Sequence, residues 1–136
     1  MPFVVDASIV ACWLLPDEGN ARADAAYARF PQDSAIVPAL WWFEMRNIFI
    51  TNERRRRIDP GKTSRALSLL RGLPIRMDHE PDETTLMSLA RTHHLTAYDA
   101  AYLELALRQN LPIATLDDDL TRAARAEGVP VIGDRN

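Results

Sequence analysis

Cysteine is almost absent from this chain: Cys12 is the one thiol in 136 residues. A lone thiol cannot close an intramolecular disulfide and leaves no Cys-based zinc site. Lysine is as scarce, with Lys62 standing among 15 arginines. Five glycines and nine prolines exclude collagen-like or low-complexity character. No run of about 18 apolar residues occurs, so no membrane-spanning helix is expected. The opening Met1-Pro2-Phe3-Val4-Val5-Asp6 lacks a basic region and meets an acid at once, unlike a secretory signal. A reducing, cytoplasmic setting is the expectation. An excess of cations is missing too. The net charge is −3 and the pI about 5.6, which weighs against avid, non-specific nucleic-acid binding. It leaves room for contact with RNA through a local patch or through bound cations.

What is present is ordinary globular material: 47% hydrophobic and 26% charged residues. The length fits one domain spanning residues 1–136. Short apolar runs alternate with helical patterns. Strands are expected at residues 3–5, 34–37, 74–77, 111–115 and 130–132, the third being the weakest. Helices are expected over 7–15, halted at Pro16, and over 20–30, with Asn20 as N-cap after a turn at 17–20. Further helices are expected over 39–56; over 60–71, with Asp59 as cap and Pro60 at N1; over 82–93; over 97–109, capped by Thr96; and over 117–127, ending at Gly128. This alternation implies an α/β fold with a central parallel sheet of about five strands covered on both faces. Ligands of such sheets bind beyond the carboxyl ends of the strands.

Four acids draw attention there. Asp6 directly follows the first strand, and Asp117 follows Thr115 at the end of the fourth. Glu44 sits within Leu40-Trp41-Trp42-Phe43-Glu44-Met45, and Asp99 within Ala97-Tyr98-Asp99-Ala100-Ala101-Tyr102-Leu103. Singly, Asp6 and Asp117 read equally well as helix caps, and Asp99 as the acidic member of a capping arrangement with Thr96. Glu44 is harder to explain, because a carboxylate among large apolar groups is desolvated unless it finds a partner or faces solvent. Jointly, the four suggest one acidic pocket. Two carboxylates about 5 Å apart at an effective dielectric near 20 repel by about 3 kcal/mol. Such a pocket holds protons or divalent cations, and oxygen-only ligation suits Mg²⁺ or Mn²⁺ rather than zinc.

These stretches carry a resemblance. Val4-Val5-Asp6-Ala7-Ser8 resembles the first motif of the PIN-domain ribonucleases, and Pro38-x-Leu40-x-x-x-Glu44-x-x-Asn47 the second. Tyr98-Asp99-Ala100-x-Tyr102-x-x-Leu105-Ala106 resembles the third, and Ala114-Thr115-x-Asp117-x-x-Leu120 the fourth. Their order, spacing and total length are similar to those of the VapC-type toxins of prokaryotic toxin–antitoxin pairs. The resemblance implies a three-layer α/β/α PIN-like fold. It implies that Asp6, Glu44, Asp99 and Asp117 are the catalytic acids, with Asp6, Asp99 and Asp117 as metal ligands. Ser8 and Thr115 would supply hydroxyls beside them, Asn47 would orient Glu44, and Asp119 is a further acid of the set, with Asp118 pointing elsewhere. The implied activity is Mg²⁺- or Mn²⁺-dependent cleavage of RNA, tRNA or another structured RNA, leaving a 5′ phosphate and a 3′ hydroxyl. A homodimer and a VapB-type antitoxin are the implied partners, with Trp13 and one ring of Trp41-Trp42-Phe43 placed in the partner groove.

Other readings stand beside this one. A non-catalytic PIN-fold module that holds RNA or protein is the main alternative. Phosphatases of the haloacid dehalogenase type need a second Asp where Ser8 stands. A receiver domain needs a Lys after a late strand, and Lys62 lies mid-chain. Arg54-Arg55-Arg56-Arg57 reads either as a solvated helix end or as a contact for RNA or antitoxin. His93-His94 reads as a helix-end cation, and Cys12 as a small core residue.

Overall fold

The computed structural model describes residues 1–15 and 19–134. The turn expected at Asp17 and Glu18 and the stop at Pro16 lie outside the described residues. In chain order the elements are β1 (Phe3–Val5), α1 (Ala7–Leu14), α2 (Ala21–Tyr27), β2 (Ala35–Pro38), α3 (Leu40–Arg54) and α4 (Pro60–Arg71). They continue with β3 (Ile75–Asp78), α5 (Glu83–His93), α6 (Ala97–Gln109), β4 (Ile113–Ala114) and α7 (Asp118–Ala126).

The sheet runs β3-β2-β1-β4, and every pairing is parallel. The central strands are fully buried, as strands covered on both faces must be; Phe3, Val4 and Val5 expose nothing. The outer strand β3 is half-exposed, which is why its apolar signal is faint. The fifth strand is corrected to a single bridge. Ile113 pairs with Val131, flanked by hydrogen bonds from Ile113 to the Pro130 carbonyl and from Ile132 to the Ile113 carbonyl. Pro130 has no N–H to extend the ladder, and Gly133, at φ 78°, turns the chain away.

Helix starts follow the caps legible in the sequence. Asn20, Asp59, Thr96, Asp6 and Asp117 each accept a backbone N–H from the first turn. Helix α6 lies against β1, β2 and β4, and its alanines at 100, 101 and 106 permit close approach to the sheet. His93 at the end of α5 meets Glu127 at 2.6 Å, tying α5 to the end of α7. Trp41 is buried while Trp42 and Phe43 face outward, as three consecutive helical rings must divide.

The strand order places a switch point between β1 and β4. From β1 the chain moves outward to β2 and β3, then returns to pair β4 on the other side of β1. The crevice beyond the carboxyl ends of these two strands is where such sheets hold ligands. Asp6 and Thr115 occupy those two ends.

Candidate active site

Asp6 begins as a helix cap: its Oδ1 accepts the Ile9 N–H at 3.2 Å. The same oxygen accepts the Ser8 hydroxyl at 2.6 Å, and Oδ2 accepts the Thr115 hydroxyl. Ser8 and Thr115 are themselves fixed by backbone. Leu116 N–H donates to Ser8 Oγ at 3.0 Å, and Asp117 N–H donates to Thr115 Oγ1 at 2.9 Å. Two hydroxyls thus stitch the end of β4 to the end of β1 and clamp one carboxylate between them.

Asp6 is 6% exposed. Burial pushes its carboxyl up to about 6, against the pull of the Ser8, Thr115 and Ile9 hydrogen bonds, and the charge of Asp99 pushes the same way. Glu44, half-buried on α3, is also raised, first by burial and then by the charges of Asp6 and Asp99. Asp99, half-buried on the first turn of α6, is raised by burial and by the charges of Asp117 and Asp119. Asp6, Glu44 and Asp99 each therefore sit in the field of at least one other carboxylate. Among the described residues no Lys, Arg or His forms an ion pair with Asp6, Glu44, Asp99 or Asp117.

Asp117 caps α7, its Oδ1 accepting Leu120 N–H at 2.8 Å. Asp119 is exposed and lies 3.3 Å from Arg122. Asp118 is exposed. Asn47 faces solvent, and no hydrogen bond joins it to Glu44. The side chain that holds Glu44 is Tyr102, whose hydroxyl donates to Oε1 at 2.5 Å. Sequence reasoning assigned Tyr102 no role. A buried phenol needs a partner for its hydroxyl, and the Tyr sits one helical turn after Asp99, facing the same crevice. Burial and the Glu44 charge raise the Tyr102 hydroxyl well above its ordinary range, so it remains a proton donor.

The donors available here are anionic oxygens, the chemistry preferred by Mg²⁺ and Mn²⁺. Among the described residues, no three His, Cys, Asp or Glu side chains are already arranged to hold a metal ion. The donors fit a hard cation in kind, and gripping one with three side chains at once requires the carboxylates to close in.

A family model described as PIN domain matches residues 3–126. PAE2754 from Pyrobaculum aerophilum is similar in structure, with a TM-score of 0.72 and 22% identity over 96% of this chain and 83% of that one. FitAcB from Neisseria gonorrhoeae gives 0.64 and 21%, covering 97% of this chain and 96% of that one. The sarcin-ricin-loop-cleaving toxin VapC20 of Mycobacterium tuberculosis gives 0.59 and 16%, covering 89% and 94%. No curated protein matches the chain.

Proposed function

The chain belongs to the PIN domain family, and from that premise we propose that it is a divalent-metal-dependent endoribonuclease acting in the cytoplasm as the toxin of a VapBC-type toxin–antitoxin pair. One observation carries the reading. Asp6 is a buried, uncompensated carboxylate at the β1/β4 switch point, in the field of Asp99, with Glu44 sensing both. A fold that leaves acids unneutralised in one crevice, at a cost to its own stability, supports a cation as their missing partner.

Asp6, Asp99 and Asp117 would hold that Mg²⁺ or Mn²⁺ ion. When bound, it supplies positive charge at a scissile phosphate and acidifies water. The chain's own residues do the rest. Ser8 and Thr115 fix the Asp6 carboxylate and hold both of its oxygens in one orientation. Tyr102 occupies Glu44 Oε1, leaving Oε2 to accept a proton from an attacking water. The elevated proton affinity of Glu44 suits it to that acceptance. Asp119, exposed at the rim, adds negative charge near Asp99.

The substrate class is RNA, tRNA or another structured RNA. A homodimer and an antitoxin are the proposed protein partners. A cavity of about 520 Å³ lined by Cys12, Trp13, Tyr27, Leu69 and Leu73 offers apolar walls to an antitoxin segment.

A second reading, a PIN-fold module that holds RNA or protein without cutting it, is favoured by the lack of a ready-made three-ligand cluster among the described residues. Calorimetric titration with Mn²⁺, beside an RNA-cleavage assay, separates the two. Saturable Mn²⁺ binding lost in Asp99→Asn, together with metal-dependent cleavage, supports the nuclease. No binding and no cleavage by the intact protein would leave the binding module.

A further inference from the structure

The cations of this acidic protein are unevenly placed. Residues 46–71, most of α3 and all of α4, hold eight of the sixteen Lys and Arg residues but two of the nineteen Asp and Glu. Their pairing is as uneven. Outside this hairpin, Arg22, Arg29, Arg108, Arg122 and Arg125 each form an ion pair with an acid. Inside it, no Lys or Arg forms one among the described residues. The two hairpin acids are engaged in structure instead. Glu53 accepts the Thr63 hydroxyl at 2.7 Å, and Asp59 caps α4 through Lys62 N–H at 2.8 Å. Arg54, Arg55, Arg56, Arg57 and Arg65 are exposed, and Lys62 is partly so.

The arginine run begins on helix α3, which also carries one acid of the crevice. Helix α3 begins beyond the carboxyl end of β2 with Glu44 in its second turn, and the arginine run lies ten residues on, about 15 Å along the axis. Arg46, two residues after Glu44 and about 200° around α3 from it, lies on the side that faces α4. Its guanidinium lies 3.9 Å over the exposed Trp42 ring, and Arg71 is near enough for its charge to be felt there. Beside them Phe43 is 71% exposed. Cations without ion pairs, with exposed aromatic rings on the same turns of α3 as Glu44, match a polyanion that also presents flat apolar groups.

We propose that the α3–α4 hairpin is the phosphate-binding ridge for an RNA strand whose scissile phosphate lies at the acidic crevice. The inference rests on the RNA-cleaving reading above and adds where the substrate is gripped. Arg54 to Arg57 contact phosphates several nucleotides from the cut, and the contact is sequence-independent because it is electrostatic.

The test uses a fluorescein-labelled single-stranded RNA pool of randomised sequence. Binding is measured in EDTA across a salt series, and cleavage is measured in Mn²⁺. Four simultaneous changes, Arg54→Gln through Arg57→Gln, should weaken binding at least tenfold at about 100 mM salt. The slope of log K against log salt should become shallower by about 3, at about 0.7 per lost phosphate contact. In cleavage KM should rise with kcat held within about threefold. Lys62→Gln with Arg65→Gln should move the slope by about 1.4 in the same sense. Arg91→Gln with Arg125→Gln, a charge change elsewhere, should leave both measurements as they were. Circular dichroism confirms that each variant is folded.

Ridge variants with wild-type affinity and slope, in a protein that does cut RNA, would overturn the ridge and spare the nuclease. Ridge-dependent binding without any cutting would keep the ridge and remove the nuclease. Unchanged RNA binding together with loss of a co-purifying acidic protein would assign the hairpin to that protein and overturn the proposal. Absence of RNA binding by the intact protein in EDTA would overturn the ridge, and absence of cleavage in Mn²⁺ as well would end both.

Discussion

Helix α6 carries carboxylates at two places that are treated in opposite ways. Glu104 is 1% exposed, yet Arg108, one turn on, meets it at 2.7 and 3.1 Å with Nε and Nη2. The same guanidinium forks onto Asp78 at the end of β3, at 2.6 and 3.2 Å. One planar cation thereby satisfies two acids, and Asp78 is held below the ordinary carboxylate range chiefly by those hydrogen bonds. Toward the start of the helix, Asp99, with Asp6 and Glu44 across the crevice, has no such cation, and all three are raised. The two acids where α6 meets the end of β3 receive an arginine from the chain. On the reading proposed above, acids left to each other's repulsion await a cation from solution.

The contrast is open to breaking. The largest effect should come from Asp6→Asn or Asp99→Asn: RNA cleavage should fall by at least about 10³-fold, about 4 kcal/mol of transition-state stabilisation, with the fold kept. Retained activity in both would erase the distinction between the two ends of α6. Arg108→Ala should cost about 3 kcal/mol in denaturant unfolding, because it strands Glu104 uncompensated. Replacing Glu104 and Arg108 together by Leu should recover much of that loss. Asp6→Asn should do the reverse of Arg108→Ala and stabilise the metal-free protein near neutral pH. The Asp6 carboxyl binds its proton more tightly folded, at about 6, than unfolded. Stability from this group is therefore full at low pH and is lost as pH rises through about 6, by about 3 kcal/mol in total. Thermal melts without metal should gain stability from about pH 7 to about pH 5 in the wild type, and that slope should be shallower in Asp6→Asn, where Glu44 and Asp99 alone retain raised carboxyls. Mn²⁺ at about 100 times its Kd should add about 2.7 kcal/mol to the wild type and nothing to Asp99→Asn. Smallest, Tyr102→Phe should slow cleavage about tenfold and cost about 1 kcal/mol, since it removes one hydrogen bond to Glu44.

Much of the architecture was legible because local signals agreed. Val4, Val5, Ile36 and Val37 are β-branched and bounded by Asp6 and Pro38, and the helices open on residues that cap them. The last strand was overread: Pro130, Val131 and Ile132 have the right side chains, but proline and the turn at Gly133 leave a single bridge. At the site, strand ends announced Asp6 and Thr115, and Glu44 stood out as an acid among aromatic rings. Asn47 shows the limit of spacing. Three residues from Glu44 on α3, it nevertheless turns to solvent. Glu104 was invisible for a related reason. A Glu and an Arg four residues apart look like a solvated surface pair, and only packing of α6 against the sheet buries the carboxylate. The arginine run was plain in the sequence, but its want of partners depends on where every acid of the chain comes to rest.

The clamp on Asp6 joins residues 109 positions apart in the chain. During synthesis β1 must wait for every element between it and β4 before that clamp can close. Until Thr115 and Leu116 arrive to dock beside it, Asp6 has lost neither its water nor its freedom. On the nuclease reading proposed above, the same late closure that joins β4 to β1 also completes the setting of that carboxylate.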